Sequence, residues 1–359
     1  MLAREIGRPY LEVACLARLG FASLVLYSFA ATQRHCREAI TLAERYGWGT
    51  EPVIAPALMM LAGTMVWTGE FDEGERWLRR TERALQTDTG PDIRLLLHQT
   101  AGILHAGRGR HHEALEEFSA AEHLASQLAD SRALASRVTG WLLATQARLG
   151  RPGEARAAVA ALDDERVSSG EIRNARAVIC LADGDPAGAL SVLHDVLDGT
   201  ASVVAYATLV EAQLLAGLAH RQLGDQCAAN QAAERALALA ESDRLVLPFA
   251  MTGSAELLEA LPRHQTAHAA LLADVLDGAS PAAKMPSSSP PTEELSPGEL
   301  KVLRYLPTNL SRPEIAGELS VSVNTVSTHL RSIYAKLQVR DRSSAVQRAR
   351  ELRLLSAGR

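Results

Sequence analysis

A glycine-ended turn followed by a helix-forming run recurs five times in the first 275 residues. It reads TGEFDEGERWL at Gly69, RGRHHEALEEF at Gly109, LGRPGEARAAV at Gly150, DGDPAGALSVL at Gly184 and LGDQCAANQAA at Gly224. The glycines stand 40, 41, 34 and 40 residues apart, room for two helices of about 12 to 16 residues and short turns. Weaker copies are read at 33–40 (QRHCREAI) and 263–272 (RHQTAHAALL). The glycine accepts a positive φ that costs other residues more, and so ends the first helix. The small residue five positions on (Gly74, Ala114, Ala155, Ala189, Ala229) lets the second helix approach the first closely. One such pair cannot bury its apolar stripe alone, so neighbouring pairs stack into a superhelix with a continuous core. The pattern predicts an α-superhelix over 1–278.

Composition agrees. Hydrophobic residues are 47% and aromatics only 4%, enough apolar material for a core and a lean toward helix over sandwich or barrel. The array resembles tetratricopeptide-like (TPR-like) repeats, with longer and less regular spacing. Such arrays present a groove for recognition, here of an unidentified protein or small-molecule effector. The longest apolar run, 19–32, falls short of a bilayer span and reads as a buried helix. With no signal segment read before it, the expected location is the cytoplasm, with no membrane contact.

The chemistry of other classes is missing from the sequence. Cys15, Cys36, Cys180 and Cys227 form no CxxC pair and read as small buried hydrophobes. Of ten histidines in the array (35, 98, 105, 111, 112, 123, 194, 220, 264 and 268), only His264 and His268 have helical i, i+4 spacing, and no HExxH accompanies them. No metal and no cofactor is expected. Trp48, Trp67, Trp77 and Trp141 read as packing between helices rather than a ligand cage. The only lysines are Lys284, Lys301 and Lys336, none after glycine, so no P-loop of GK[ST] form exists. There is no GxSxG and no paired-carboxylate site, and the chain is not expected to be an enzyme.

At 279–292 the sequence becomes ASPAAKMPSSSPPT, with four prolines and four serines. It cannot continue a helix and reads as an extended tether. The segment 293–359 that follows is sharply punctuated. Ser296-Pro297-Gly298-Glu299 is a capping box that launches a helix to about Leu306. Ser311-Arg312-Pro313-Glu314 is a second, opening a short helix through Leu319, and Ser322 caps a third running to about Gln338. A short helix, a tight turn and a longer helix make a helix-turn-helix. On the third helix Val323, Val326, Leu330, Ile333 and Leu337 are spaced for the core. Asn324, Ser327, Thr328 and Arg331 take the opposite face, the arginine suited to a bidentate contact with guanine. Thr325, Ser332 and Lys336 flank that face within reach of phosphates.

These residues resemble the C-terminal DNA-binding domain of LuxR-type transcriptional regulators. Leu295, Pro297, Glu299, Val302-Leu303, Leu310-Ser311, Glu314-Ile315-Ala316, Leu319, Thr325-Val326, Thr328-His329-Leu330, Lys336-Leu337 and Val339-Arg340 carry the resemblance. Together with the repeats it gives an all-α expectation: a TPR-like α-superhelix followed by a four-helix LuxR-type helix-turn-helix domain. It further implies that helix three enters the major groove of double-stranded DNA and that a fourth helix, about 343–354, supports a homodimer. Contact with RNA polymerase is also implied. By the resemblance the base-reading positions map to Ser327, Thr328 and Arg331 and the backbone contacts to Thr325, Lys336 and Arg340. Asn324 joins the base-reading set from its place on the helix face, and Arg312 and Ser332 are expected to join the backbone contacts. Ser327 stands where the family often has Lys, and Asn309 and Gln338 each replace a usual Gly. His329 matches a common family residue that either packs or meets phosphate. The array is similar, more weakly, to the superhelix of large MalT-like regulators, whose ATPase module is not found here, so nucleotide-driven activation is not expected.

The expected function is a sequence-specific DNA-binding transcription regulator whose repeats sense an effector or partner. The competing expectation is a protein-interaction scaffold whose terminal helix-turn-helix no longer reads DNA specifically. The net charge of -5 counts against nucleic acid only as an average. Residues 1–292 hold 26 Lys and Arg against 35 Asp and Glu, a net of -9, and 293–359 hold 11 against 7, a net of +4. A small basic module follows a large acidic one.

Overall fold

The structure is a computed structural model. It describes residues 2–85, 90–128, 132–261, 266–279, 296–306, 310, 312–319, 321–337, 345–346 and 348–349. The chain divides into two compact units, Met1–Ala283 and Lys284–Arg359. Both are helical, with no strand among the described residues.

The first unit runs α1 (Leu2–Glu5), α2 (Pro9–Val25), α3 (Phe29–Arg45), a 3-10 turn (Pro52–Ile54), α4 (Ala55–Trp67), α5 (Phe71–Ala84), α6 (Pro91–Gly107), α7 (His111–Ala125), α8 (Arg132–Arg148) and α9 (Pro152–Ala160). It continues with α10 (Asp164–Ser168), α11 (Gly170–Ala182), α12 (Pro186–Leu197), α13 (Ala207–Gln222), α14 (Gln226–Glu241), α15 (Leu247–Thr252), α16 (Ala255–Glu259) and α17 (Ala269–Ala279). Consecutive helices pack in pairs, α2 on α3, α4 on α5, α6 on α7, α8 on α9, α11 on α12 and α13 on α14, and each pair leans on the next. This is the superhelix expected from the repeats.

The turn register explains the pairing. All five repeat glycines have φ between +72° and +83°. At each, the glycine N–H bonds the carbonyl three residues back and the next N–H bonds the carbonyl five back, as in Gly109 to Ala106 and Arg110 to His105. That pattern satisfies the last carbonyls of the first helix. Asp185 and Asp225, next in line, then cap the second helix, each accepting a backbone N–H three residues on at 2.8 and 2.9 Å. The small residues five positions on are all buried, and a Cβ on Gly74 would meet Val66 at 2.8 Å. Seven positions before the turn lies another close contact that the repeat pattern did not flag. A Cβ on Gly102 would stand 2.5 Å from the ring of Phe118, itself fully buried.

The α2–α3 pair uses the same turn without glycine. Tyr27 has φ +55°, its N–H bonds Leu24 and that of Ser28 bonds Ser23. A left-handed tyrosine costs about 1 kcal/mol. The cost is offset by edge-on ring contacts with Phe29, Trp67 and Tyr206 at 5.9, 5.7 and 4.6 Å. The weak repeat copy at 33–40 thus lies inside α3, with Tyr27 in the place of the glycine. Of the copy at 263–272, residues 263–265 lie outside the described residues, and the remainder leads into α17.

Two expectations are corrected. The apolar run 19–32 is not one buried helix: α2 ends at Val25, α3 starts at Phe29, and Leu19, Phe21, Val25 and Leu26 are exposed. Its apolar residues serve two helices and a turn, so their number overstated burial. Of the cysteines only Cys36 is buried; Cys15 and Cys180 are half-buried and Cys227 is exposed. Tyr10, Tyr46 and Trp48 form one aromatic contact set and Trp67, Trp141 and Phe118 another.

The superhelix curls back on itself through α15, which touches α4, α6 and α13. The Val246 N–H donates to the Trp67 carbonyl at 2.9 Å, and Gly69 has room for no side chain beside Val246. One of the unit's apolar clusters accordingly joins residues as far apart in the chain as Tyr27 and Val275. No helix among the described residues is long and apolar enough to cross a membrane.

Candidate nucleic-acid interface

The second unit contains α18 (Pro297–Tyr305), α19 (Arg312–Glu318) and α20 (Val323–Lys336), and residues 345–346 and 348–349 are also helical. The tether at 280–292 lies outside the described residues, as do Leu295, Asn309, Ser311, Gln338, Val339 and Arg340. The helices start and stop within two residues of the sequence-based limits. α18 opens on a complete capping box: the Ser296 hydroxyl accepts the Glu299 N–H at 3.3 Å, and Glu299 accepts the Ser296 N–H at 2.6 Å. Ser322 opens α20, its hydroxyl accepting the Thr325 N–H at 3.0 Å and sharing a hydrogen bond with the Thr325 hydroxyl at 2.8 Å.

α20 packs on both α18 and α19. Val326, Leu330, Ile333 and Leu337 are buried with Val302, Leu303, Leu306, Ile315, Ala316, Ala345 and Ala349 in one cluster. Four of the five residues expected in the core are therefore there; the Val323 side chain lies outside the described residues. Asn324, Ser327, Thr328 and Arg331 lie on the α20 backbone and Arg312 at the start of α19, their side chains also outside the described set. With a core stripe at 326, 330, 333 and 337, the helical period puts positions 324, 327, 328 and 331 on the other face.

Besides Thr325, whose hydroxyl is shared with Ser322, two of the expected phosphate-contacting groups already have protein partners. Ser332 Oγ donates to Glu299 Oε1 at 2.5 Å and Lys336 Nζ donates to Glu299 Oε2 at 3.0 Å. Glu299 is only 5% exposed. Burial alone raises such a carboxyl, but hydrogen bonds from Ser332, the Ser296 backbone, Lys336 and the Ser296 hydroxyl hold it down at about 2. One carboxylate thus caps α18 and ties it to α20. Nothing in the local sequence pairs Glu299 with Lys336, 37 residues away. His329 packs: its ring lies 3.2 Å from where a Cβ on Gly298 would stand.

In the first unit His98 Nδ1 lies 2.8 Å from Glu117 and His268 Nδ1 lies 2.7 Å from Glu241, while His264 is outside the described residues. His194, Asp195 and Asp198 come within 4.8 Å of one another on the surface, where Asp195 also pairs with Arg173 at 2.6 Å.

Residues 293–349 match the family described as bacterial regulatory proteins, luxR family (GerE). Among curated relatives, the HTH-type transcriptional regulator MalT of Serratia proteamaculans (strain 568) is 43% identical over 61 residues. That match takes in 17% of this chain and 7% of the relative's length. Two solved structures are similar over more of the chain. The crystal structure of BtubC (BKLC) from P. vanneervenii matches 61% of this chain and 91% of its own, at 17% identity and a TM-score of 0.39. That of a Rap protein complexed with competence and sporulation factor matches 96% and 97%, at 12% identity and a TM-score of 0.45. Neither likeness is close enough to bear on what the repeats do. The segment with the helix-turn-helix geometry is also the segment that the family covers, and residues 293–349 of this chain are a LuxR-family regulatory domain.

Proposed function

We propose that the chain is a sequence-specific DNA-binding transcription regulator that works in the cytoplasm as a homodimer on DNA, without catalysis. The observation that supports this reading is the LuxR-family match over a unit whose α20 buries one stripe, Val326, Leu330, Ile333 and Leu337, into its core. α20 enters the major groove. Asn324, Ser327, Thr328 and Arg331 read base edges, each good pairing worth about 1 to 3 kcal/mol of discrimination. Arg312, Thr325, Ser332, Lys336 and Arg340 contact the backbone. Lys336 keeps Glu299 as it does so, because an ammonium has three donors. The fourth helix, expected at about 343–354, supplies the dimer contact, and the bound dimer meets RNA polymerase. The repeats sense an effector.

The experiment is selection from random duplexes with the full chain. An enriched, roughly palindromic motif is expected. Binding that is only sequence-blind and salt-labile would overturn the reading in favour of a scaffold.

A further inference from the structure

The first helices of successive pairs line the inner face of the superhelix, and on α8, α11 and α13 that face is polar. Arg137, Trp141 and Arg148 lie along α8, Glu171 and Asn174 along α11, and Glu211 on α13, around one cleft that α15 closes from below with Met251 and Thr252. α8 and α11 approach so closely there that a Cβ on Gly140 would stand 2.8 Å from the Glu171 carbonyl. Polar groups on a buried helix face cost stability unless they are partnered. Here the partnering is incomplete in a particular way.

Arg137 is fixed by the scaffold. Its guanidinium lies 4.8 Å from the ring centres of both Trp67 and Trp141, and Nη2 donates to Tyr27 Oη at 3.0 Å. Glu171 is fixed too: Oε1 accepts the Val204 N–H at 2.8 Å and the Thr208 hydroxyl at 2.9 Å. Asn174 donates to the Thr208 carbonyl at 2.9 Å and Arg148 to the Thr252 carbonyl at 3.2 Å. Yet Arg137 Nε, Glu171 Oε2 and Asn174 Oδ1 are buried with no hydrogen-bond partner. Among the described residues neither arginine forms an ion pair with Glu171 or Glu211, although the charge of Arg137 acts on Glu211. A donor and two acceptors are held apart by separate supports, each lacking a partner.

We infer that this cleft is the effector site of the repeats and takes a small zwitterion of the α-amino-acid class, its ammonium on Glu171 and Asn174 and its carboxylate on Arg137. The inference rests on the sensing role given to the repeats above. The unpartnered atoms match that ligand in sign and number, since an ammonium supplies donors for Oε2 and Oδ1 and a carboxylate accepts from a guanidinium. Burial raises the Glu211 carboxyl toward its neutral form, although Arg137 opposes this. The guanidiniums of Arg137 and Arg148 both line the cleft, and a ligand carboxylate complements them. Room is graded in the same sense. The inner cleft holds about 40 Å³, enough for about three waters or a compact head group. Glu171 also lines an outer groove of about 720 Å³, with Ser136, Asp163, Arg166 and Ser202, where a side chain projects.

The test is thermal denaturation and calorimetric titration of the full chain with the standard amino acids, each compared with its N-acetyl and methyl-ester forms. At least one free amino acid is expected to raise Tm and bind, and capping either end is expected to weaken it about tenfold or more. Glu171→Gln and Arg137→Gln are expected to weaken the free amino acid by a similar factor. The capped ligands ask the same question of the unmodified protein, so they decide even where a variant fails to fold. No binding by any amino acid up to about 10 mM, or equal binding of capped forms, overturns the inference. DNA affinity measured with and without ligand separates the two claims. An amino acid that binds and leaves DNA affinity unchanged supports the site and contradicts the sensing role. A different effector that shifts DNA affinity, with no amino acid binding, supports the sensing role and contradicts the site.

Discussion

Glu299 in the C-terminal unit and Glu171 in the repeats are buried alike, 5% and 6% exposed, yet they are used in opposite ways. Both oxygens of Glu299 are occupied, by Ser332 on one side and by Lys336 and the Ser296 N–H on the other. Glu171 has one oxygen occupied twice and the other not at all. A buried carboxylate with every lone pair directed at a protein donor joins elements together. One held rigidly with an oxygen to spare is shaped for something that arrives later. The small basic unit spends its buried charge on its own fold. The large acidic unit keeps polar atoms in reserve within its groove.

Substitutions sharpen this contrast. Glu299→Gln is expected to have the largest effect, destabilising the C-terminal unit by about 2 kcal/mol at neutral pH after solvent screening is allowed for. Its carboxyl is held at about 2, below its ordinary value near 4.5. The stabilisation is therefore complete above about 4.5 and is lost as pH falls toward 2. Hydrogen exchange of the 297–337 segment across that window checks it, and the variant should show no such acid loss. If the variant matched the parent at pH 7, the tie would be incidental.

Glu211→Gln should act in the opposite direction. Its carboxyl is raised, so its ionisation opposes folding as pH rises through the folded value. The variant should stabilise the repeats by about 1 kcal/mol at pH 8, with the gain disappearing below the ordinary carboxylate range. Tryptophan fluorescence follows this unit alone, because Trp48, Trp67, Trp77 and Trp141 all lie within it. A loss of stability at pH 8 would make Glu211 a structural partner. Glu171→Gln should change least, by less than about 0.5 kcal/mol, because Oε1 keeps both hydrogen bonds and only the unpartnered oxygen is replaced. A cost of several kcal/mol in the same fluorescence melt would place Glu171 beside Glu299 and remove the contrast.

The features written locally in the chain were the legible ones. The five turn glycines, the small residues five positions later, the capping box at Ser296 and the α20 core stripe each involve neighbours within a few residues. What escaped depends on partners far along the chain. Tyr27 takes a glycine's conformation because Trp67 and Tyr206 hold its ring. Gly102 is small because Phe118 fills the space above it. Lys336, read as a phosphate contact, is also the partner of a carboxylate at the start of α18. The polar cleft was the least visible. Its residues recur at helical spacing on α8, α11 and α13, but only the curl of the superhelix decides which face is inside. Trp67 and Trp141 do pack between helices, and what they pack against includes the guanidinium of Arg137.

The central claim is that the α20 face reads sequence. It is tested most directly by titrating the selected duplex and a scrambled one with the full chain and with Arg331→Ala. The account predicts that the variant binds the selected duplex about ten- to a hundredfold more weakly, with less than about a twofold change on the scrambled one. Equal losses on both duplexes, or none on either, would contradict it.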